Sequence, residues 1–150
     1  MVVWRTAMAL ACTLGSVACM GQEVLTVVGA HLFTYHDNGP YENVNPGVYL
    51  VQRNWTVGVY HNSTRKTSFY GGYTWSWHTT RVPLIDSYAL TAAIANGYPN
   101  TIEKTDLSAL LIPSVRVPLT TSMGLRVSLL PYVRRYNPAT SLHFCVEHAF

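Results

Sequence analysis

The chain has 150 residues, of which 49% are hydrophobic and only 11% are charged, and it contains 10 tyrosines and 4 tryptophans. This length allows one domain. A formal net charge of +3, without any run of basic residues, argues against nucleic-acid binding.

The N-terminal residues 1–21 predict a secretory signal peptide. An uncharged apolar run covers Thr6–Val17 after a single positive charge, and small residues follow it, so we expect cleavage after Ala18 or after Gly21. The run is too short to anchor the chain in a bilayer. Because Cys19 directly follows Ala18, lipid attachment at this cysteine stays open.

In residues 22–150, β-rich segments are separated by the turn-forming residues Gly, Pro, Asn and Asp. No segment approaches the roughly 20 apolar residues of a spanning helix. Most segments have the roughly 9–11 residues of a tilted membrane strand. The predicted strands are Val24–His36, Gly47–Asn54, Thr56–Asn62, Thr67–His78, Ser87–Asn96, Leu110–Pro118, Gly124–Tyr132 and Thr140–Phe150. The predicted fold class is therefore all-β, an antiparallel eight-stranded transmembrane β-barrel.

Alternation within single strands predicts which face meets lipid and which faces the lumen. In the fourth strand, large aromatic residues share one face and small polar residues the other. The last strand alternates in the same way and ends on an aromatic residue, as outer-membrane barrels do. The predicted lipid-facing residues are Phe69, Tyr73, Trp75, Trp77, Leu142, Phe144, Val146 and Phe150, and the predicted lumen-facing residues include His143, Cys145 and Glu147.

Two further lumen features follow from the same alternation. Arg116, Arg126 and Glu147 are predicted to form an ion-pair network at the periplasmic end of the lumen. The fifth strand carries small residues on one face, which we interpret as one wall of a slot for an acyl chain: Ala89, Thr91, Ala93 and Ala95.

Candidate catalytic residues lie where the first and third strands end. His61 and Ser63 stand two positions apart, which is the spacing of a base beside a hydroxyl nucleophile on one face of a strand. His31 and His36 lie at the corresponding end of the first strand. Such residues also occur as solvated polar groups at a barrel rim, and that interpretation stays open.

Prolines fall inside or at the ends of three predicted strands, at Pro46, Pro113 and Pro131. Proline has no N–H, so each one removes a ladder hydrogen bond, and a closed barrel has no edge strand on which to accommodate it. Two interpretations stay open. The prolines lie at β-bulges and strand ends, or they interrupt strand pairing and leave an opening through which a lipid tail passes.

Cysteine content predicts neither a disulfide nor a metal site. Cys12 leaves with the signal peptide and Cys19 leaves if cleavage follows Gly21, after which Cys145 is alone. We interpret Cys145 as an inert packed thiol, and we predict no cofactor.

Several blocks of the chain resemble the lipid A palmitoyltransferase family (PagP). They extend over most of the mature chain: Glu42-Asn43-Val44-Asn45-Pro46-Gly47, Trp55 through Gly58-Val59-Tyr60-His61-Asn62-Ser63, Tyr70-Gly71-Gly72-Tyr73-Thr74-Trp75, Leu110-Leu111-Ile112-Pro113-Ser114-Val115 and Leu129-Leu130-Pro131-Tyr132. The resemblance implies an eight-stranded barrel that transfers a palmitoyl chain from a phospholipid to lipid A.

The resemblance also implies roles for individual residues. Ser63 matches the family serine, whereas Asn62 stands where the family has an aspartate. His31 lies one position from the family histidine. The three prolines match those that flank the family's lateral openings for lipid. A neutral amide at Asn62 hydrogen-bonds but does not orient an imidazolium as a carboxylate does. Beyond the resemblance, two interpretations of the Asn62 difference stay open: His61 acts as the base for Ser63 in its place, or the barrel has kept its shape and lost the chemistry.

The sequence thus predicts a monomer in the bacterial outer membrane, with phospholipid and lipid A as partners. Three alternatives stay open. The first is a non-catalytic small barrel that binds lipid or modifies the cell surface. The second is a lipid A deacylase of the His-x-Ser type, which lacks the expected carboxylate after Ser63. The third is a soluble lipocalin-type barrel, which leaves the aromatic stripe of the fourth strand in water.

Overall fold

A computed structural model describes residues 26–98, 106–132 and 139–150. The predicted signal peptide, its cleavage site and Cys19 lie outside these residues. In the described part of the chain, no helix is long and apolar enough to cross a membrane.

The described chain forms eight β-strands that close into one antiparallel barrel in sequence order, with β8 paired to β1. This confirms the predicted all-β, eight-stranded barrel, which is compatible with an outer-membrane protein. The strands are β1 (Thr26–His36), β2 (Val44–Gln52), β3 (Trp55–His61), β4 (Thr67–His78), β5 (Ser87–Asn96), β6 (Leu107–Pro118), β7 (Met123–Leu130) and β8 (Ser141–Ala149).

Each predicted strand end that the structure describes lies within three residues of the observed one. The largest differences are at the starts of β2 and β6, which begin at Val44 and Leu107 rather than at Gly47 and Leu110. β2 begins earlier because Pro46 lies inside the strand, at a bulge where Asn45 and Pro46 of β2 lie opposite Leu32 of β1.

The barrel has two ends that differ in their connections. We call the end with the β1–β2, β3–β4, β5–β6 and β7–β8 connections the loop end, and the opposite end the turn end. At the turn end, β2 and β3 are joined through Arg53 and Asn54, both with positive φ (49° and 72°). A two-residue turn with positive φ at both positions matches the right-handed twist of paired strands, and it fixes the β2–β3 register.

Side chains alternate between the lumen and the outer surface as predicted. Phe69, Trp75 and Trp77 of β4 are exposed on the outside, while Ser68 and Thr74 are buried in the lumen. In β8, Leu142 is exposed, and Cys145 and Glu147 are buried.

Charged residues within the eight described strands all face the lumen, and they meet near the turn end. Glu147 is 1% exposed and forms ion pairs with Arg126 and, at 3.4 Å, with Arg116. Arg116 also pairs with Asp86 from the β4–β5 connection. The predicted network of Arg116, Arg126 and Glu147 is therefore confirmed, and Asp86 extends it.

Candidate functional site

A cavity of about 310 Å³ extends along the lumen. Its walls include Tyr41, Ser63 and Tyr98 from the loop end and reach Arg126 and Glu147 of the ion-pair network. This volume is within the range of small-molecule sites in proteins. The interior of the barrel therefore has room for part of a ligand between its loop end and its charged floor.

His31 occupies the middle of this lumen and is 8% exposed. It lies between Gly47 of β2 and Cys145 of β8 in the strand register. A side chain at Gly47 would collide with the backbone of β3 and with Tyr60, so a glycine is required where β2 passes beside the histidine.

Both nitrogens of the His31 ring have partners. Nδ1 lies 2.7 Å from His143 Nε2, and Nε2 lies 3.0 Å from the Tyr70 hydroxyl. His143 Nδ1 in turn lies 2.7 Å from Thr34 Oγ1. Four side chains from β1, β4 and β8 are thus linked in one chain across the lumen, from Tyr70 to Thr34.

A β-bulge in β1 makes this arrangement possible. Against β8, Leu32 is an extra residue, because β1 advances from His31 to Phe33 while β8 advances only from Cys145 to Phe144. Against β2 the extra residue belongs to β2, where Asn45 and Pro46 lie opposite Leu32. Leu32 and Phe33 are consequently both exposed on the outside, whereas His31 and Thr34 both face the lumen. Without the extra residue, strict alternation would direct Thr34 toward the outside, away from His143.

Cys145 completes a cluster with the two histidines. Its Sγ lies 3.4 Å from His31 Nδ1 and is buried, and the ligating atoms of His31, His143 and Cys145 all lie within 4.8 Å of one another. Sequence reasoning placed His143 and Cys145 in the lumen, but it treated Cys145 as isolated because it considered only cysteine spacing.

Tyrosine rings surround the cluster. The His31 ring lies with its centroid 5.0 Å from those of Tyr49 and Tyr60 and 5.7 Å from that of Tyr70. The Tyr60 hydroxyl is hydrogen-bonded to that of Tyr98, beyond the end of β5. Burial raises the pKa of Tyr98, so its hydroxyl stays neutral. The wall around His31 is therefore aromatic, formed by the rings of Tyr49, Tyr60 and Tyr70.

Asn62 is fully buried and organises the β3–β4 loop. Its Oδ1 accepts hydrogen bonds from the backbone amides of Thr64 and Lys66, and its Nδ2 donates to Ser68 Oγ at 2.8 Å and to the Gly97 carbonyl at 3.0 Å. Both ends of the amide are thus hydrogen-bonded, to the β3–β4 loop, to Ser68 of β4 and to Gly97 beyond β5, which assigns Asn62 a structural role.

Replacing Asn62 by aspartate is expected to lower the free energy of unfolding by about 1–3 kcal/mol, because a carboxylate cannot donate to Ser68 or Gly97 and would place an anion against a carbonyl oxygen. Denaturant unfolding in detergent micelles measures this loss. The control is Asn43→Asp, an exposed amide of the β1–β2 connection, for which we expect a change within about 0.5 kcal/mol. Equal stability of Asn62→Asp and the parent would contradict the structural role.

The structure separates the other predicted site residues. His61 follows the alternation of Val57 and Val59, which point outward, and it is not among the residues that line the cavity. Ser63, just beyond β3, does line the cavity, and its carbonyl accepts a hydrogen bond from the Glu42 amide at 3.0 Å. Of the predicted catalytic residues, His31 and Ser63 therefore share the lumen.

The three prolines lie at irregular places in the sheet. Pro46 falls where the β1–β2 register shifts between His31 and Phe33. Pro113 directly precedes Ser114, the last residue of β6 with a register partner in β7 in the part of the chain that the structure describes. Pro131 follows the last residue of β7. Pro113 and Pro131 thus lie inside β6 and at the end of β7, and Pro46 lies at the β1–β2 shift.

No family model matches the chain, and no curated protein matches it in sequence. The resemblance to the lipid A palmitoyltransferase family therefore stays a prediction.

Proposed function

We propose that this protein is a barrel of the bacterial outer membrane that acts on membrane lipid, transferring an acyl chain from phospholipid to lipid A. The outer surface supports the membrane location. In the middle of the barrel it is apolar, with Val48, Val57, Ile94 and Leu111 more than half exposed. Exposed aromatic residues lie toward the turn end at Trp55, Trp75 and Trp77, and at the loop end Tyr35 is exposed. An apolar band between aromatic girdles is the surface of a transmembrane barrel.

Access for a lipid tail is supported by the sheet itself. Among the described residues, the register pairs of β6 and β7 extend from Pro118↔Gly124 to Ser114↔Ser128, and Pro113, which has no N–H to donate to a neighbouring strand, lies directly next to the last of them. Leu110 and Ile112, just before this proline in β6, line the cavity. A tail that entered from the outer leaflet would therefore meet apolar lumen walls first.

The observation that carries the proposed transfer is that His31 and Ser63 line the same cavity. Acyl transfer between two hydroxyl groups needs a base that removes a proton from the attacking hydroxyl and a polar group that holds the reacting ester. His31 supplies an imidazole in the lumen, and Ser63 supplies a hydroxyl at its loop end. The acyl chain would lie between the two, along the lumen.

A second candidate function is a non-catalytic barrel that binds lipid without transferring it. The hydrogen bonds of Asn62 favour it, because they commit the amide to the loop. The outward position of His61 favours it as well, because that imidazole is not available to Ser63 inside the lumen.

Lipid A extracted from Gram-negative cells that express the full chain distinguishes the two functions. We expect mass spectrometry to show one added acyl chain, absent in cells without the protein and in cells with Ser63→Ala. The control is Ser122→Ala, a serine of the β6–β7 connection at the opposite end of the barrel, which should leave the added chain in place. Lipid A of unchanged mass, with the barrel correctly assembled, would support the non-catalytic function instead.

A further inference from the structure

We propose that the lumen contains a transition-metal site formed by His31, His143 and Cys145, and that it takes Zn²⁺. This inference is independent of lipid transfer and rests on the geometry of the three side chains. Two imidazoles and one thiolate are ligands that suit Zn²⁺, and a site with three protein ligands leaves a fourth position for water or another small ligand.

The three ligand atoms converge on one point of the lumen. His31 Nδ1 lies 2.7 Å from His143 Nε2 and 3.4 Å from Cys145 Sγ. Around a tetrahedral Zn²⁺ with its usual bond lengths, two nitrogens lie roughly 3.3 Å apart and a nitrogen and a sulfur roughly 3.6 Å apart. The histidines need to separate by a fraction of an ångström to admit the ion. The cysteine is already close to its place relative to His31, and all three ligand atoms lie within 4.8 Å of one another.

The opposite nitrogen of each imidazole is held by a hydroxyl group. Tyr70 holds Nε2 of His31 at 3.0 Å, and Thr34 holds Nδ1 of His143 at 2.7 Å. Metal-binding histidines characteristically use their second nitrogen in this way, because the partner fixes the tautomer and the direction of the ring. Here the fixed directions turn the other nitrogen of each ring toward the other histidine and Cys145.

The ligands are carried by paired strands rather than by loops. His31 is the register partner of Cys145, and Thr34 is the register partner of His143, across the β1–β8 seam that closes the barrel. A site built on paired strands keeps its geometry before the ion arrives, which lowers the cost of binding. The cavity touches all three ligands, so an ion can reach them and a fourth ligand has room.

Binding exchanges one proton for the ion. The Cys145 thiol loses its proton to solvent as the sulfur–zinc bond forms, and the two imidazoles bind as neutral groups through their lone pairs. Metal binding is measured on the purified barrel without any lipid substrate, so its failure and a failure of the lipid A experiment in cells are separate results.

Co²⁺ titration tests the site directly, because a thiolate bound to Co²⁺ gives a near-ultraviolet charge-transfer band and a four-coordinate Co²⁺ gives strong visible bands. The sample is the full chain in detergent micelles with Cys12→Ser and Cys19→Ser, so that Cys145 is its one thiol. We expect one Co²⁺ per chain, both sets of bands, and loss of the bands when Zn²⁺ is added. Absence of stoichiometric binding by the assembled barrel would overturn the proposal.

Single substitutions distinguish the metal ligands from residues that do not bind the ion. Cys145→Ser should abolish the charge-transfer band, and His143→Ala should weaken Co²⁺ binding on the order of 100-fold. Tyr70→Phe removes only the hydroxyl behind His31 and should weaken binding about 10-fold. The control is His148→Ala, a histidine on the outer face of the same strand, which should bind as the parent does. Near-ultraviolet absorption that persists in Cys145→Ser, or equal losses in His143→Ala and His148→Ala, would contradict the assignment. Electrophoretic mobility before and after boiling checks in each case that the barrel has assembled.

Discussion

Replacing Glu147 by alanine is expected to lower the free energy of unfolding by about 3–5 kcal/mol, because it removes the carboxylate from a buried ion-pair network and leaves the arginines behind. Glu147 accepts a hydrogen bond from the Tyr49 hydroxyl at 2.6 Å and one from Arg126 Nη2 at 2.9 Å, and it pairs with Arg116 at 3.4 Å. Arg116 retains Asp86 when the glutamate is lost, whereas Arg126 retains hydroxyl groups, those of Tyr49 and, at 3.1 Å, of Ser114. The variant therefore leaves a guanidinium in the lumen without a carboxylate.

An exposed ion pair of the same chemistry provides the control. Glu42 lies 3.4 Å from Arg65 in the loops, where the two side chains are 37% and 75% exposed. Glu42→Ala is expected to change stability by at most about 1 kcal/mol, since water screens such pairs. Equilibrium unfolding by guanidinium in detergent or in lipid vesicles measures both variants. Equal effects of Glu147→Ala and Glu42→Ala would show that the lumen network does not support the barrel.

Placing an arginine in the middle of the outer surface is expected to cost about 2–4 kcal/mol when the barrel is in a bilayer. Leu111 of β6 is the position for this test, because it is 62% exposed on the outer face and lies between the two girdles. Leu111→Arg would hold a guanidinium in hydrocarbon if the surface faces lipid. In water the same change at an exposed position would be nearly neutral.

Leu119 offers a matched control at the turn end. It is 56% exposed, close to Leu111 in accessibility, but it lies in the β6–β7 connection outside the strands. Leu119→Arg is expected to cost about 0–1 kcal/mol, as arginine does near a membrane interface. The unfolding free energies of the two variants in phospholipid vesicles show whether Leu111 lies in the hydrocarbon of the bilayer. A difference of zero between them would argue against burial of Leu111 in the membrane.

The barrel was predictable from sequence because the strands obey one local rule. Period-two alternation in β4, with Phe69 and Trp75 on one side and Thr74 on the other, is the same in the sequence and in the structure. Strand ends were less accurate where proline lies inside a strand. Pro46 suggested the end of a loop, but it lies in a bulge of β2 opposite Leu32, where a strand tolerates a residue without an N–H, and β2 begins earlier.

The candidate site was only partly predictable. His31 was identified, but its contacts with His143 and Cys145 depend on the closure of β8 against β1, more than a hundred positions away in the chain. Thr34 was missed because its inward direction depends on the bulge at Leu32 of β1, which alternation alone does not reveal. The pairing of His61 with Ser63 assumed that the strand continued past Asn62, whereas the loop begins there.

Tryptophan fluorescence in vesicles with bromine on the lipid chains tests most directly whether the outer face of the barrel contacts hydrocarbon. Bromine quenches tryptophan only at short range, and Trp55, Trp75 and Trp77 are 65%, 42% and 42% exposed on that face. In the full chain with Trp4→Phe, these three are the emitting residues. We predict strong quenching relative to vesicles of unbrominated lipid. Unquenched emission, from a chain that remains folded and monomeric in buffer without detergent, would contradict the membrane location and the proposed lipid chemistry together.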